Sequence, residues 1–262
     1  NISVGASYAG NYATKARHDM NASIMRLSSG NRTVMGGDSA GASVANNLEA
    51  RAKSHYIGAR NAEDGISALL TAEATLNEIA NLSMRLRELG IQADNDPLLS
   101  DTDMTALATE ATALYTAIQD IIAEAKFNEI VIINTASKTH AIGVSADGTN
   151  NTTITTNNAF TTLASAIAVG TAAGAEASAD ILLEDVALSL GNIAAGISAL
   201  KGRQAVSYAT SANLEAAAAR IRDTDFAKET ASLTKASILN QSAMAMVAQA
   251  NQAQSAILAV LQ

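Results

Sequence analysis

Few side chains in this sequence have types and spacings that could support catalysis or metal binding. The three histidines, His18, His55 and His140, are far apart and lack the close spacing of metal ligands. A short segment, RDTDF, places Asp223 close to Asp225, but two carboxylates are too few for Ca²⁺, which takes six or more oxygen ligands. We therefore predict surface or packing roles for the histidines, and helix capping or hinge chemistry for the aspartates.

A glycine-rich segment, GNRTVMGGDSAG, covers residues 30–41 and precedes a helical pattern. Such a segment can hold phosphate at a helix N-terminus, but this one lacks the glycine spacing of a nucleotide-binding loop and follows no clear strand. We interpret it as a hinge between helices, with Gly30, Gly36 and Gly37 supplying backbone conformations that other residues resist. Because the chain also has no cysteine, we predict no enzyme activity, no metal and no cofactor.

The composition favours closely spaced helices over a globule that surrounds a ligand pocket. The 262 residues are 48% hydrophobic but only 3% aromatic, with no Trp and one Pro. A net charge of -8 argues against a nucleic-acid partner, which requires a basic surface. We see no run of about eighteen apolar residues that would predict a membrane span. Residues 1–15 also lack the features of a Sec signal peptide.

Both ends of the sequence carry the alternating three- and four-residue spacing of a coiled-coil seam. The N-terminal pattern includes Ile2, Met20 and Leu27, with alanines between them. The C-terminal pattern runs through Leu239, Ala243, Met246, Ala250, Ala253, Ile257 and Val260. No charged residue precedes Lys15 or follows Lys235. We predict that the two terminal helices pair with each other.

The elements between the two ends are predicted from three further heptad patterns. These cover residues 69–93, 104–125 and 186–221. Residues 127–160 are rich in Ile, Val and Thr and predict a small β-hairpin region, whereas residues 168–180 predict a loop before the long last pattern. The predicted fold class is mainly α, with long coiled-coil-like helices, both chain termini paired, and a small β-hairpin region.

Large apolar side chains are few in the two terminal patterns. We name them the assembly seam; they are Ile2, Met20, Leu27, Leu239, Met246, Ile257 and Val260. Their burial does not plausibly offset the conformational entropy lost when two long helices become ordered. We expect these ends to be largely disordered in a free monomer and to fold when many copies surround them. An ordinary intramolecular helical bundle is the alternative.

Several segments are similar to bacterial flagellin. MRLSSGNR (25–32), RNAEDGIS (60–67), LNEIANLSMRLRELGIQADN (76–95) and KFNE (126–129) resemble its N-terminal half, and residues 220–261 resemble its C-terminal segment. Residues from about 130 to 180 lack family features, so the resemblance implies a short form with a short variable segment and no large outer domains. The AQANQ run at 248–252 favours filament flagellin over the hook–filament junction protein.

The resemblance implies a structural subunit that polymerises into the bacterial flagellar filament for swimming motility; a monomeric helical binding module is the second hypothesis. It implies that residues 1–37 and 222–262 form paired inner-core helices and that residues 38–221 form an outer domain. It also implies an extracellular location, reached through the flagellar type III pathway without a cleaved signal peptide. The implied partners are further copies of the chain, the flagellar cap protein, the hook-associated junction protein and an export chaperone.

In many flagellins a Toll-like innate receptor recognises a patch whose matching positions here are Arg85, Leu89 and, with a one-residue gap, Glu110. Arg85 and Leu89 are four residues apart, so they are expected to share a helix face. We expect subunit packing to be the primary role of this patch. Gly90 stands where the family usually has alanine, and we expect it to loosen the helix by roughly 1 kcal/mol.

Overall fold

The fold is known from a computed structural model that describes residues 2–34, 37–145, 151–157, 160 and 173–260. These residues form five α-helices: α1 (Ile2–Ser29), α2 (Ser39–Ala93), α3 (Asp101–Glu124), α4 (Ala173–Arg222) and α5 (Phe226–Val260). They also form two antiparallel strand pairs: β1 (Lys126–Phe127) with β2 (Ile130–Val131), and β3 (Lys138–Gly143) with β4 (Asn151–Asn157). The predicted fold class is confirmed, including the small β-hairpin region.

The chain packs into two compact units. The first consists of Asn1–Ala50 and Asn213–Gln262, and the second of Arg51–Ala212. The units divide within α2 and α4, whereas the sequence suggested a division near residues 37 and 222, where the helices are interrupted. The assignment of these parts to an inner core and an outer domain stays a prediction.

In the first unit, α1 and α5 run antiparallel. Near the end of α1, the Arg26 guanidinium lies 2.7 Å from the Glu229 carboxylate in the first turn of α5. Towards the opposite end, Gly5 and Ala250 border the same groove. Both helices are rich in alanine, the residue with the highest helix propensity. The two chain ends therefore pair with each other, as predicted.

The second unit is built on a core of leucine and isoleucine. All eight positions of the first internal heptad pattern are buried: Leu69, Ala72, Leu76, Ile79, Ser83, Leu86, Gly90 and Ala93. The buried Ser83 hydroxyl donates a hydrogen bond of 2.6 Å to the Ile79 carbonyl, so its polarity is satisfied within α2. Ile118 of α3 and Ile193 of α4 complete the same core.

The β3–β4 hairpin packs against two helices through glycine positions. Ile142 of β3 lies against Gly65 of α2, where any Cβ would clash with it. On α4, a Cβ at Gly196 would lie 2.5 Å from Cγ2 of Ile154 in β4. Because neither glycine has a side chain, the isoleucines of the hairpin reach the helix backbones.

Helix α3 begins at a capping box. Ser100 is its N-cap, and its hydroxyl oxygen accepts a hydrogen bond of 3.3 Å from the Asp103 backbone N–H. In return, the Asp103 carboxylate accepts one of 3.0 Å from the Ser100 backbone N–H. The Ser100 hydroxyl also donates a hydrogen bond of 2.6 Å to this carboxylate. That bond, followed by the one from the Ser100 backbone, lowers the pKa of the Asp103 carboxyl below its ordinary value.

Helix α4 begins earlier than the sequence indicated. Residues 173–180, predicted as part of a loop, are its first two turns. The prediction was wrong because Ala175 and Ala179 are buried against Leu86 of α2 and Ala111 of α3. Four of these eight residues are alanine, the best helix former, so the local composition is compatible with a helix as well.

Helix α4 is also the one described helix long and apolar enough, by length and composition alone, to cross a membrane. The sequence led us to expect none. An 18-residue window within Ala175–Arg222 has a mean hydropathy of 1.4, and 28% of that window is buried. Leu182, Val186 and Leu200 of this helix belong to the core of the second unit. We therefore assign α4 to the core.

Candidate assembly surfaces

The face that α1 and α5 bury against each other is made of small side chains. Ala13, Ala16 and Ser23 of α1, and Ala236 and Ala243 of α5, are each at most 8% exposed. Small side chains let the axes of two packed helices approach to about 8 Å, the lower end of the usual range of interaxial distances of about 8 to 10 Å. The pair is therefore thin and buries little apolar area.

The structure places the assembly seam partly inside and partly outside this interface. Met20 and Leu27 are half-buried on the face of α1 that meets α5. Leu239 and Met246 are instead exposed on α5, at 51% and 61%. The side chains of the other three members, Ile2, Ile257 and Val260, lie outside the part of the chain that the structure describes.

On α5, the interface with α1 follows a heptad phase different from the one read from the sequence. Ala243 and Ala250 belong to both phases, but Asn240 and Val247 turn inward where Leu239 and Met246 were expected. Within the described residues, the buried amide oxygen of Asn240 has no hydrogen-bond partner. A polar group at such a seam position sets helix register at a cost in stability.

Leu239 and Met246 line a groove of about 810 Å³ that runs along the α1–α5 pair. Tyr12, Lys15 and Asp19 contribute to its α1 side. Met246 also borders a neighbouring groove of about 300 Å³. This face of the pair thus combines apolar side chains with a few charges and has the elongated form that receives another helix.

The predicted hinge contains one glycine with a special conformation. Gly30 follows the last residue of α1 with φ of +69°, in the left-handed region, and its N–H donates a 2.9 Å bond to the Arg26 carbonyl. This is a common way to end a helix. Gly37 lies in a turn before α2, and Gly36 lies outside the described residues.

The outgoing and returning segments at the hinge are bonded to each other. Asn31 and Asp223 form an isolated antiparallel bridge. Beside it, the Thr224 N–H donates to the Gly30 carbonyl at 2.9 Å, and the Arg32 N–H donates to the Arg222 carbonyl at 2.6 Å. Residues 30–32 and 222–224 are therefore held together as one antiparallel pair of segments, which we call the hinge ribbon.

Arg32 strengthens the hinge ribbon, and sequence reasoning missed it. Its Nε and Nη2 donate to the Ile221 carbonyl at 3.2 and 3.1 Å, satisfying a free acceptor at the end of α4. Nη2 also lies 3.0 Å from the Asp38 carboxylate. A second ion pair, of 2.6 Å, joins Arg222 to Glu49. The glycines alone had drawn attention to this segment.

The acidic residues at the hinge act as helix caps. The Asp225 carboxylate accepts hydrogen bonds of 3.0 and 3.2 Å from the N–H groups of Ala227 and Lys228, which begin α5. Asp38 accepts one of 2.7 Å from the Gly41 N–H at the start of α2. Across the described ranges, no three His, Asp or Glu side chains are grouped so that they could hold a metal ion.

The candidate receptor patch is only partly on the surface. The Arg85 guanidinium donates to the Glu110 carboxylate at 2.8 and 3.1 Å and to the Glu88 carboxylate at 3.0 Å, and both Arg85 and Glu110 remain about half exposed. These bonds, the one to Glu110 most of all, raise the pKa of Arg85 above its ordinary value. Glu110 therefore lies beside Arg85, on the neighbouring helix α3, as expected.

Leu89 corrects the predicted patch. It is 2% exposed and packs with Leu86, Ala111 and Ala179, so it faces inward and is not on the surface with Arg85. Gly90 also has a packing role that its helix propensity did not indicate. A Cβ at this position would lie 2.6 Å from the backbone nitrogen of Glu176, so the glycine permits the close contact between α2 and α4.

Comparisons with known proteins agree with this architecture. The family model for the bacterial flagellin N-terminal helical region matches residues 1–138, and that for the bacterial flagellin C-terminal helical region matches residues 192–261. A flagellin of Halalkalibacterium halodurans is 32% identical over 244 residues, which cover 90% of this chain and 89% of the relative.

Two further relatives show the same similarity. Flagellin FlaB2 of Treponema pallidum is 31% identical over 267 residues, with 91% of each chain covered. Polar flagellin F of Vibrio parahaemolyticus is 36% identical over 137 residues, which are 52% of this chain and 36% of the relative. With family models at both ends and two of these relatives covered to 89% and 91% of their length, the chain belongs to the bacterial flagellin family, whose members are structural subunits of the flagellar filament.

Proposed function

We propose that this flagellin polymerises through the α1–α5 pair, by receiving helices of further copies in the groove lined by Leu239 and Met246. One observation carries the proposal: these two large apolar side chains are more than half exposed on a helix that has no charged residue after Lys235. Exposed apolar surface of this kind marks a site of protein interaction. The chain is a structural filament subunit, and flagellar filaments lie outside the cell.

We further propose that residues 1–37 and 222–262 form the inner core of the filament and residues 38–221 its outer domain. The pairing of α1 with α5 and the helix interruptions at residues 30–38 and 223–225 support this division. The same interruptions support a hinge role for Gly30, Gly36 and Gly37, and add Arg32 to it. A change in the hinge ribbon is expected to alter filament shape more than monomer stability.

Polymerisation can be tested with one substitution and a matched control. Leu239→Asp places a carboxylate in the proposed groove, where burial by another copy would leave it unpaired. We expect electron microscopy to show filaments of the unaltered chain and none of this variant. Met244→Asp makes a similar change at a similarly exposed site outside the groove, and we expect it to polymerise.

Filaments of normal length from Leu239→Asp would contradict the proposed groove. Deleting residues 237–262 removes Leu239 and Met246 from the groove, and we expect the truncated chain to retain a folded second unit without polymerising. A complete absence of filaments from the unaltered chain would instead favour the monomeric binding module. The matches to flagellins do not favour that alternative or the hook–filament junction protein.

Further partners follow from the family resemblance. We propose that the chain is exported unfolded by the flagellar type III pathway, with a chaperone on α5, and assembles beneath the cap protein next to the hook-associated junction protein. The amphiphilic exposed face of α5 supports the chaperone assignment. Co-purification of the chain with the chaperone, compared with the chain lacking residues 237–262, tests it.

For the Toll-like receptor we propose contact with Arg85 and Glu110 alone, since both are exposed. Arg85→Ala should lower the signal of the monomer in a receptor reporter assay. Its effect on stability should be small, because the ion pair is exposed and screened by solvent. If the unaltered monomer gives no receptor signal and the Arg85→Ala variant no longer polymerises, receptor binding is contradicted. Arg85 and Glu110 would then serve only in packing between subunits.

A further inference from the structure

In the second unit, a stretch of the contact between α2 and α4 lacks large side chains. Ala52 and Ala59 of α2 are buried at 4% exposure or less, and Ser207 and Ser211 are the buried residues of α4 in the same stretch. We call this stretch the small-residue seam. Small side chains bury little area and interdigitate weakly, so apolar packing contributes little to holding it closed.

Specific polar contacts join the two helices along the small-residue seam. The Oε1 atom of Glu63 accepts hydrogen bonds from Gln204 Nε2 at 2.7 Å and from the Tyr208 hydroxyl at 2.9 Å. The Tyr208 ring meets the Tyr56 ring edge to face, with centroids 5.8 Å apart. The Ser211 hydroxyl donates to the Ala52 carbonyl at 2.9 Å.

Glu63 is the centre of these contacts, because one of its carboxylate oxygens receives two donors from the opposite helix. Gln204 and Tyr208 are four residues apart and lie on one face of α4. One turn further in each direction on that face stand Leu200 and Ala212, which have no side-chain donor. The hydrogen bond to Glu63 also raises the pKa of the Tyr208 hydroxyl, which keeps this donor protonated.

We propose that Glu63 is a latch that keeps the small-residue seam closed, and that the seam opens locally without unfolding the leucine and isoleucine core beside it. Proteins open in cooperative parts, and the least stable parts have few buried apolar contacts. The core around Leu69, Leu76 and Ile79 has many such contacts, whereas the small-residue seam is joined by a few polar and ring contacts, two of which end on the Glu63 carboxylate. The latch acts in the isolated chain and does not depend on polymerisation.

Thiol labelling tests the latch cleanly, because the chain has no cysteine of its own. Ala59→Cys reports on the small-residue seam and Ala72→Cys on the leucine and isoleucine core; both positions are fully buried. We expect Glu63→Ala to increase the labelling rate of Ala59→Cys about fivefold, because the hydrogen bonds that are lost each have a modest net free energy. The labelling rate of Ala72→Cys should change by less than about twofold. Glu63→Gln retains an acceptor oxygen and should restore most of the protection.

The matched control is Glu78→Ala. Glu78 is an exposed glutamate of α2 whose carboxylate accepts a hydrogen bond of 3.5 Å from Asn81 of its own helix, so its removal should leave both labelling rates unchanged. Equal increases at the two reporter positions would show general destabilisation and overturn the latch. So would an unchanged rate in Glu63→Ala, or the same increase in Glu78→Ala.

Hydrogen exchange on the cysteine-free chain provides a second measurement if a reporter variant fails to fold. We expect Glu63→Ala to accelerate exchange at backbone amides of residues 52–63 and 204–211, and to leave residues 76–89 unchanged. Uniform acceleration across both sets, or none at all, would contradict the proposal.

Discussion

One ring nitrogen gives the β3–β4 hairpin a dependence on pH. His140 lies on β3 opposite Ile154, and its Nε2 atom is buried with no hydrogen-bond partner within the described residues. Burial, followed by the nearby charge of Lys138, lowers the pKa of this imidazole below its ordinary value, against an opposing hydrogen bond with the Ile132 backbone. The folded chain therefore favours the neutral ring.

We predict that the chain loses stability as the pH falls below the ordinary histidine pKa of about 6.5. Below the ordinary histidine pKa of about 6.5, the unfolded chain takes up a proton that folded His140 still resists, so protonation favours unfolding. The loss is complete once the pH has passed through the lowered pKa of the folded state. Urea unfolding at several pH values measures it.

His140→Gln should make the free energy of unfolding depend less on pH over this range. Thr139→Gln is the matched control, because it makes a similar change at an exposed position on the same strand and should retain the full slope. An identical slope in the unaltered chain and in His140→Gln would show that His140 does not cause the pH dependence.

At the scale of single elements, the contact between α2 and the start of α4 depends on one missing side chain. We predict that Gly90→Ala destabilises the chain by about 1 to 3 kcal/mol, although alanine is the better helix former, because the added Cβ meets the Glu176 backbone and not a flexible side chain. Thermal or urea unfolding measures the change.

Gly191→Ala separates this clash from helix propensity. Gly191 lies within α4 with open space where its Cβ would be, so the same substitution should stabilise the chain by up to about 1 kcal/mol. If both variants were stabilised equally, the close contact at Gly90 would not constrain the fold.

The sequence predicted elements well where large and small residues contrast. The internal pattern from Leu69 to Ala93 was correct because leucine and isoleucine gain far more from burial than their neighbours do. On α5 the same reasoning chose Leu239 and Met246 for the contact with α1, and the structure turns Asn240 and Val247 inward instead. An alanine-rich seam offers little contrast in size, so residue type does not determine its phase.

The candidate sites were harder to predict than the elements. Spacing placed Arg85 beside Leu89 on one helix, but the direction of a side chain depends on the neighbouring helices, and those bury Leu89. The hinge drew attention through its glycines, whereas its hydrogen bonds come from Arg32, whose partner Ile221 is far away in the sequence. Contacts between such distant residues are not visible in local patterns.

At the scale of the whole molecule, we predict that the chain gains helix when it polymerises. The α1–α5 pair buries mainly alanine and serine, and such small surfaces offset little of the entropy lost on ordering. Circular dichroism of monomer and filament at equal concentration measures the gain. The chain lacking residues 237–262 is the control and should show no change, and an unchanged signal for the full chain would contradict folding on assembly.

The narrowness of the alanine-faced pair has a geometric consequence for any tube built from it. Two helices about 8 Å apart, in place of about 10 Å, occupy a smaller arc of a circle. A ring of such pairs can therefore enclose a narrower bore, or hold more strands around the same circumference. Enlarging Ala13 or Ala243 to leucine would widen every pair in the ring, and the change would appear as an altered lattice spacing in the diffraction of the filament.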